Sequence, residues 1–344
     1  MTGQIKQLIS HQKWVAVALA TIALAGVLSV VSPVFLTVSN FQAILVQSSV
    51  TAIMAIGMTF IILTAGIDIS VGAILFFTSA LFAQLFLTTE SYLLSFVAAI
   101  ACAIGLGTFN GWLVVKFRVS PLITTLATYS IYRGAAIHLT GAQNIPVPRE
   151  MGFLGNGRIL GLPVPIIILF IVAVIGIYAL NRTRLGVYAR ALGNSDRSAR
   201  ETNLPVSRTL LAVYGFSGLV TGIAALILLA RVGGLQSGIG IGIEFTVIAA
   251  VILGGTKLSG GSGTVVGSVI GAIFLVLIDN GLNLMNASPY IYDIVRGSVL
   301  LAAVAIDRYS AMRQKSALES QRAARLGIDS PLVSPPEPLR GQNG

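Results

Sequence analysis

Covalent chemistry needs a nucleophile beside a base, a cluster of metal ligands, or a glycine-rich cradle for phosphate, and fragments of each occur in this chain. Two Gly-x-Ser-Gly strings stand at Gly215-Phe216-Ser217-Gly218 and Gly260-Gly261-Ser262-Gly263. A serine in such a string attacks only with a base within hydrogen-bond reach. The two histidines, His11 and His138, both precede the strings, so close packing of glycine-rich helices is the stronger reading. No Gly-x-x-x-x-Gly-Lys-Ser/Thr string exists, which excludes a P-loop ATPase within this chain. Gly261-Ser262-Gly263 with Gly267 approaches a dinucleotide fingerprint, but its spacing is wrong and no βαβ unit surrounds it. With Cys102 as the single cysteine, neither a disulfide nor a cysteine-based metal site can form within one chain. No catalytic residue, metal or cofactor is expected of this chain.

What remains are polar groups set in apolar runs. Thr64-Ala65-Gly66-Ile67-Asp68-Ile69-Ser70-Val71-Gly72 is the first. A carboxylate at membrane depth costs a few kcal/mol or more and marks a functional site by default. Asp68 or Ser70 could instead N-cap the following helix. The second is Gly242-Ile243-Glu244 with Gly254-Gly255-Thr256-Lys257 and Gly260-Gly261, the composition of a broken helix whose backbone faces a cavity or a close neighbour. Downstream, Asp279, Asn280 and Asn283 place one carboxylate and two amides on one segment. Asn280 and Asn283 share a helix face, where they could line a pathway for a hydroxylated solute or bond to neighbouring helices. Asp293 and Arg296, at i and i+3, are placed to neutralise each other. The third is Gly193-Asn194-Ser195-Asp196-Arg197-Ser198-Ala199-Arg200, where Asn194 or Ser195 can cap a short helix and Asp196 pairs with Arg200 at i,i+4. Such a capped, charged helix between two spans is a docking element.

The elements that hold these groups follow from composition. Of 344 residues, 55% are hydrophobic and only 10% charged, with mean hydropathy +0.88 and a formal charge of +10. A soluble domain carries about 25% charged residues, so a soluble enzyme or nucleic-acid-binding domain is excluded. Spans of about 20 apolar residues are required to cross a bilayer. Ten stretches qualify: 14–31, 41–64, 71–87, 92–115, 120–140, 164–180, 210–230, 243–256, 264–285 and 290–306. The eighth is short enough to be re-entrant or broken. The expected fold is all-α, a polytopic transmembrane helical bundle of about ten spans. All basic residues except Arg133, Arg149, Arg158, Arg231 and Arg296 then fall on one face, which the positive-inside rule makes cytoplasmic along with both termini. The first span reads as retained rather than as a cleaved signal peptide.

Glycines at fourfold spacing add packing faces: Gly263, Gly267 and Gly271, Gly107 and Gly111, Gly218 and Gly222. The expected organisation is a cytoplasmic segment 1–13, a permease domain 14–307 with a cytoplasmic loop 182–208, and a cytoplasmic tail 308–344 whose proline-rich end, 330–344, reads as disordered.

The run Ala55-Ile56-Gly57-Met58-Thr59-Phe60-Ile61-Ile62-Leu63 through Thr64 to Gly72 resembles the signature of inner-membrane permeases of ribose-type sugar ABC importers. Three further matches keep order and spacing: Thr183-Arg184-Leu185-Gly186 to Gly193-Asn194, Ile248 to Thr256 with Gly260-Gly261, and Asn280-Gly281-Leu282-Asn283-Leu284. The similarity runs from about residue 14 to 308. It implies a bacterial inner-membrane permease paired with a second copy, in a homodimer. It also implies docking, through the cytoplasmic loop, to ATP-binding cassette subunits that themselves hold ATP and magnesium. Sugar would arrive from a periplasmic binding protein and cross by alternating access.

On this reading Asp68, Ser70, Glu244, Asn280 and Asn283 are the candidate pathway residues. Gly193, Asn194, Ser195, Asp196, Ala199 and Arg200 are the coupling residues. Gly66, Gly72, Gly254, Gly255, Gly260, Gly261, Gly263, Gly267 and Gly271 serve helix breaks and packing. The segment from Gly193 to Leu204-Pro205 departs from the ABC-importer coupling motif by about one residue of spacing and a missing leading acid. Asp279 stands where the family often has an amide, and an acid at Asp293 is unusual. The alternative is an ion-coupled secondary transporter titrating Asp68, Glu244 or Asp279.

Overall fold

A computed structural model describes residues 13–326. Lys6, His11 and the proline-rich segment 330–344 lie outside the described residues. The helices are α1 (Lys13–Val31), α2 (Val38–Leu63), α3 (Val71–Thr89), α4 (Tyr92–Phe117), α5 (Pro121–Thr140), α6 (Gly152–Asn156), α7 (Val164–Arg182), α8 (Arg184–Asn194), α9 (Asp196–Glu201), α10 (Val206–Val232), α11 (Ile243–Leu253), α12 (Val265–Leu284) and α13 (Pro289–Leu326). Two antiparallel pairs complete the fold: β1 (Ile145–Pro146) with β4 (Gly234–Leu235), and β2 (Arg158–Ile159) with β3 (Leu162–Pro163). The fold is an all-α multi-pass bundle, and each of the ten expected stretches falls on a helix. Chain contacts divide at Ala303/Val304, so α13 belongs to the bundle only as far as Ala303.

Seven helices, α1, α2, α3, α4, α7, α10 and α12, are long and apolar enough to cross a membrane. α5 has the length, at 20 residues, but carries Thr124, Thr125, Thr128, Arg133 and His138. α11 has only 11 residues, about 16 Å of helix. Its strand still crosses the bundle. The 27 residues of α10 rise about 40 Å from the charged loop 182–208 to the β1/β4 pair, and the chain then returns through α11 to Gly261, whose N–H donates to the Leu63 carbonyl at 3.0 Å. The eighth segment is therefore a short helix continued by an irregular loop, broken rather than re-entrant. The two ends of the bundle are called the loop end and the hairpin end below.

α2 is buried from Ser48 through Leu63 and forms the centre, with α10, α11 and α12 against it. Lipid is as apolar as leucine, so close backbone approach through small residues holds such helices together. Gly107 and Gly111 of α4 meet Tyr214 and Gly218 of α10, and Gly267 and Gly271 of α12 meet Gly254 and Ala250. Gly263 was expected on that same α12 face but lies ahead of the helix, in the extended lead capped by Thr264, where it packs on Thr256. Buried hydroxyls add cross-links: Thr59 Oγ1 donates to the Ala55 carbonyl at 2.6 Å and lies 2.7 Å from Ser268 Oγ on α12.

Candidate functional site

The turn Thr64–Gly72 leaves α2 and enters α3 inside the bundle. α2 closes with Ala65 N–H on the Ile62 carbonyl and Gly66 N–H on Ile61, which holds Ala65 at φ 60°. That region is uncommon for a residue with a Cβ. Asp68 is 1% exposed, and its Oδ1 accepts from Ser70 N–H at 2.8 Å and from Ser70 Oγ at 2.6 Å. Ser70 Oγ in turn accepts from Asn110 Nδ2 at 2.7 Å, and Asn110 Oδ1 accepts from Tyr132 OH at 2.8 Å. Thr125 Oγ1 ties the same turn to α5, donating to the Ile67 carbonyl and accepting from Ile69 N–H.

Asp68 thus caps the approach to α3. Ser70 occupies the N-cap position, yet its hydroxyl caps no backbone N–H because it is committed to Asp68 and Asn110. Asp68 Oδ2 and Tyr214 OH are buried without a protein partner. Since Oδ1 alone accepts both Ser70 bonds, Asp68→Asn is expected to keep its folded yield, the amide oxygen replacing Oδ1. Asn110→Leu removes one bond each from Ser70 Oγ, which keeps Asp68, and Tyr132 OH, which keeps the Leu106 carbonyl, and is expected to cost about 0.5–1.5 kcal/mol per lost bond. Thermal unfolding of the detergent-solubilised variants checks both; a wild-type midpoint for Asn110→Leu would remove the network from the account.

Glu244, in the first turn of α11, is 3% exposed and lies against the same turn. A Cβ on Gly72 would collide with the Glu244 carboxylate and stand 2.9 Å from the Gly240 carbonyl. Glu244 Oε2 is buried without a hydrogen-bond partner among the described residues, and Arg133 of α5 provides a nearby positive charge. Arg133 donates to the Ser237 carbonyl at 2.6 Å and sits 4.8 Å from the Phe76 ring centroid. The two pathway regions of the sequence are therefore one region in space, joined at Gly72.

The other end of the turn meets the charged loop. Gly193, at the end of α8, touches the Leu63 carbonyl and Gly261 N so closely that no Cβ fits, and a Cβ on Gly260 would lie 2.9 Å from both Ala65 N and Gly193 Cα. Gly260 and Gly261 have φ of 87° and 74°, which glycine adopts without strain. Lys257 N–H bonds to Ser262 O and Gly260 N–H to Lys257 O, fixing this reversal. Beyond Gly193, Ser195 caps α9 by accepting from Ser198 N–H at 3.1 Å, Arg200 pairs with Asp196 at 2.9 Å, and Ala199 is buried. Asp196 raises the Arg200 pKa above its already high ordinary value through this hydrogen bond. Being exposed, the pair shapes the helix surface more than its stability. A cleft of about 680 Å3 opens here, with Thr64, Ala65, Arg118, Gly193, Asp196 and Arg200 on its walls.

Asn280 and Asn283 stand apart from this region. Asn280 and Asn40, at the start of α2, bond reciprocally at 2.8 and 3.2 Å, so Asn280 clamps α12 to α2; Asn283 is exposed at the end of α12. The Asp293–Arg296 neutralisation expected from spacing is secondary. Arg296 binds Asp279 through two bonds, Nη2 to Oδ2 at 2.7 Å and Nε to Oδ1 at 3.2 Å, with Asp293 only within 3.6 Å. Spacing within one helix favoured Asp293; burial of Asp279, at 5% exposed, makes it the partner in greater need of a counter-charge. The partners that sequence reasoning missed are Asn110, Tyr132, Thr125 and the Leu63 carbonyl. Asn110 was detectable as an amide inside an apolar span.

The family model described as "Branched-chain amino acid transport system / permease component" matches residues 40–304. The chain is 40% identical over 294 residues to the ribose import permease protein of Escherichia coli strain K12, covering 84% of this chain and 92% of that one. It is 37% identical over 281 residues to the D-allose transport system permease protein of the same strain, covering 80% and 85%. For that strain's L-arabinose transport system permease protein the identity is 34% over 278 residues, covering 80% and 85%. No solved structure matches the chain. With a fold of apolar helices and a match over most of its length, the chain belongs to this family of multi-pass permease components and resembles its ribose-type sugar branch throughout.

Proposed function

We propose that the chain is the membrane-spanning permease subunit of an ATP-driven importer for a monosaccharide, ribose or a related sugar, working by alternating access. The observation that carries the mechanism is the meeting of Gly193, Gly260 and Leu63, which connects the charged loop directly to the turn bearing Asp68 and, through Gly72, to Glu244. Closure of ATP-binding subunits docked on α8 and α9 would displace Gly193. Packed backbone has no soft side chain to absorb that motion, so the turn and the broken α11 segment move with it. ATP and magnesium belong to those subunits, and this chain makes or breaks no covalent bond in the sugar.

Loop 182–208 faces the cytoplasm on this reading, with both termini on the same side of an inner membrane. A second copy completes the permease, and a periplasmic binding protein delivers sugar to the hairpin end. The ion-coupled alternative is set aside because the relatives are import or transport-system permeases.

The test is reconstitution in proteoliposomes with the ATP-binding subunit and the binding protein, using a panel of pentoses and hexoses. At least one sugar is expected to stimulate ATP hydrolysis and to accumulate in the ATP-dependent direction. Uptake driven by an imposed pH gradient, with no sugar stimulating ATP hydrolysis, would reverse the assignment.

A further inference from the structure

Towards the hairpin end a cavity of about 540 Å3 lies between α2, α10, α11, α12 and the first turns of α13, with Gln47, Thr51, Asn156, Arg231, Asp279 and Arg296 among its walls. The volume falls in the ~300–1,000 Å3 range of small-molecule sites. None of the pathway residues singled out from the sequence lines it; Thr246 of α11 does, while Glu244 of the same helix lies against Gly72.

The chemistry of the walls is specific. Arg296 uses one lone pair on each Asp279 oxygen, which leaves each oxygen able to accept again. Arg231 is half-buried, and among the described residues its guanidinium has neither an ion-pair nor a hydrogen-bond partner. Its donors are therefore uncommitted among these residues and open to a ligand in the cavity. Two amides, Gln47 and Asn156, and the Thr51 hydroxyl complete a set in which donors outnumber acceptors. An apolar ligand would leave Arg231 unpaired, and a small anion drawn to Arg231 would face the Asp279 carboxylate. Adjacent hydroxyls on a sugar ring match both needs: their oxygens accept from Arg231 and the amides, and their protons go to the free lone pairs of Asp279.

We propose that this cavity is a monosaccharide subsite on the transport path, with Arg231 and the Asp279–Arg296 pair reading adjacent hydroxyls of the ring. The proposal rests on the importer reading above and adds the residues that discriminate between sugars.

The test uses the complete complex in proteoliposomes, with the binding protein saturated in turn by ribose, allose or arabinose, so that delivery does not limit selection. Arg231→Gln orphans no protein group and is expected to fold. It should change the ratio of uptake rates between two of these sugars by tenfold or more. Asp279→Asn combined with Arg296→Gln removes both charges together, which avoids leaving one buried charge alone, and should lower uptake of every sugar at least tenfold. Phe170→Ala, on the exposed face of α7, should leave the ratios unchanged. Thermal unfolding confirms that each variant is folded; if the double variant is not, the Arg231→Gln ratio alone decides. Wild-type ratios and rates in the folded variants would overturn the subsite while leaving the importer reading in place. A wild-type complex that takes up none of the sugars would overturn both.

Discussion

Gly193→Ala is expected to abolish ATP-driven sugar uptake while leaving the protein inserted in the membrane. The added methyl group would meet the Leu63 carbonyl and Gly261 N, both backbone atoms. A flexible side chain can rotate away from such a clash, but here either α8 or the Gly260-Gly261 reversal must shift, and the 3.0 Å bond from Gly261 N–H to Leu63 is lost with it. Overpacking of this kind costs typically about 1–3 kcal/mol. That is small beside the stability of a ten-helix bundle, so insertion survives. It is large for a junction proposed to transmit a motion. Sugar-stimulated ATP hydrolysis and uptake, measured in the reconstituted complex, are expected to fall together or to uncouple, with uptake near zero in either case. Uptake at the wild-type rate would show that the junction carries no motion. Gly193→Arg is expected to act in the same direction and more severely, since it adds bulk and charge at the same contact.

Gly107→Val is expected to lower the yield of folded protein and its unfolding midpoint sharply. Gly107 of α4 faces α10 so closely that a Cβ would overlap the Tyr214 carbonyl and stand 3.0 Å from Gly218 Cα. The α4/α10 contact is the most extensive between any two helices of the bundle, and two further methyl groups would force the helices apart along it. The loss is about 3 kcal/mol or more, at the upper end of overpacking effects, because both partners are backbone. Gly105, two residues earlier on the same helix, has nothing within 4 Å of its notional Cβ. Gly105→Ala should therefore be tolerated and gain up to about 1 kcal/mol in helix propensity. Monodisperse yield after detergent extraction, with the unfolding midpoint, separates the two variants. Equal yields would mean that α4 and α10 do not pack through Gly107.

Much of the fold was legible because lipid imposes a simple rule: a crossing segment must be apolar over about 20 residues and satisfy its own backbone. The boundaries at Val71 and Tyr92 came directly from the apolar runs, and the glycine spacing at Gly107/Gly111 and Gly218/Gly222 named a helix interface before the helices were placed. The eighth segment was legible as irregular, through its length and Gly254-Gly255. Whether it crossed depended on Gly261 reaching Leu63, a contact between residues almost two hundred positions apart.

The site divides in the same way. Local signals offered Asp68 or Ser70 as a cap ahead of α3, Asn194 or Ser195 as the cap of α9, and Asp196–Arg200 as a pair, since each depends on neighbours within about one helical turn; the structure chose between the capping alternatives. Asn280 was recognisable as an amide within an apolar segment, placed to line a pathway or bond to a neighbouring helix, and its role as a clamp came only from Asn40. Arg296 was assigned to Asp293 by spacing, and burial reassigned it to Asp279.

By itself, then, the sequence determined that the chain is a multi-pass helical membrane protein with a basic loop at 182–208 and polar groups at Asp68, Glu244 and Asp279. Composition and short-range periodicity are sufficient for that, because the bilayer and the helix act on each segment separately. Only the tertiary structure decided that Gly193 touches the turn carrying Asp68, that Glu244 closes on the same turn, and that Arg231 shares a cavity with Asp279 and Arg296. Those relations depend on which helix faces meet, and closest approach is set jointly by glycines and buried polar groups on segments far apart in the chain.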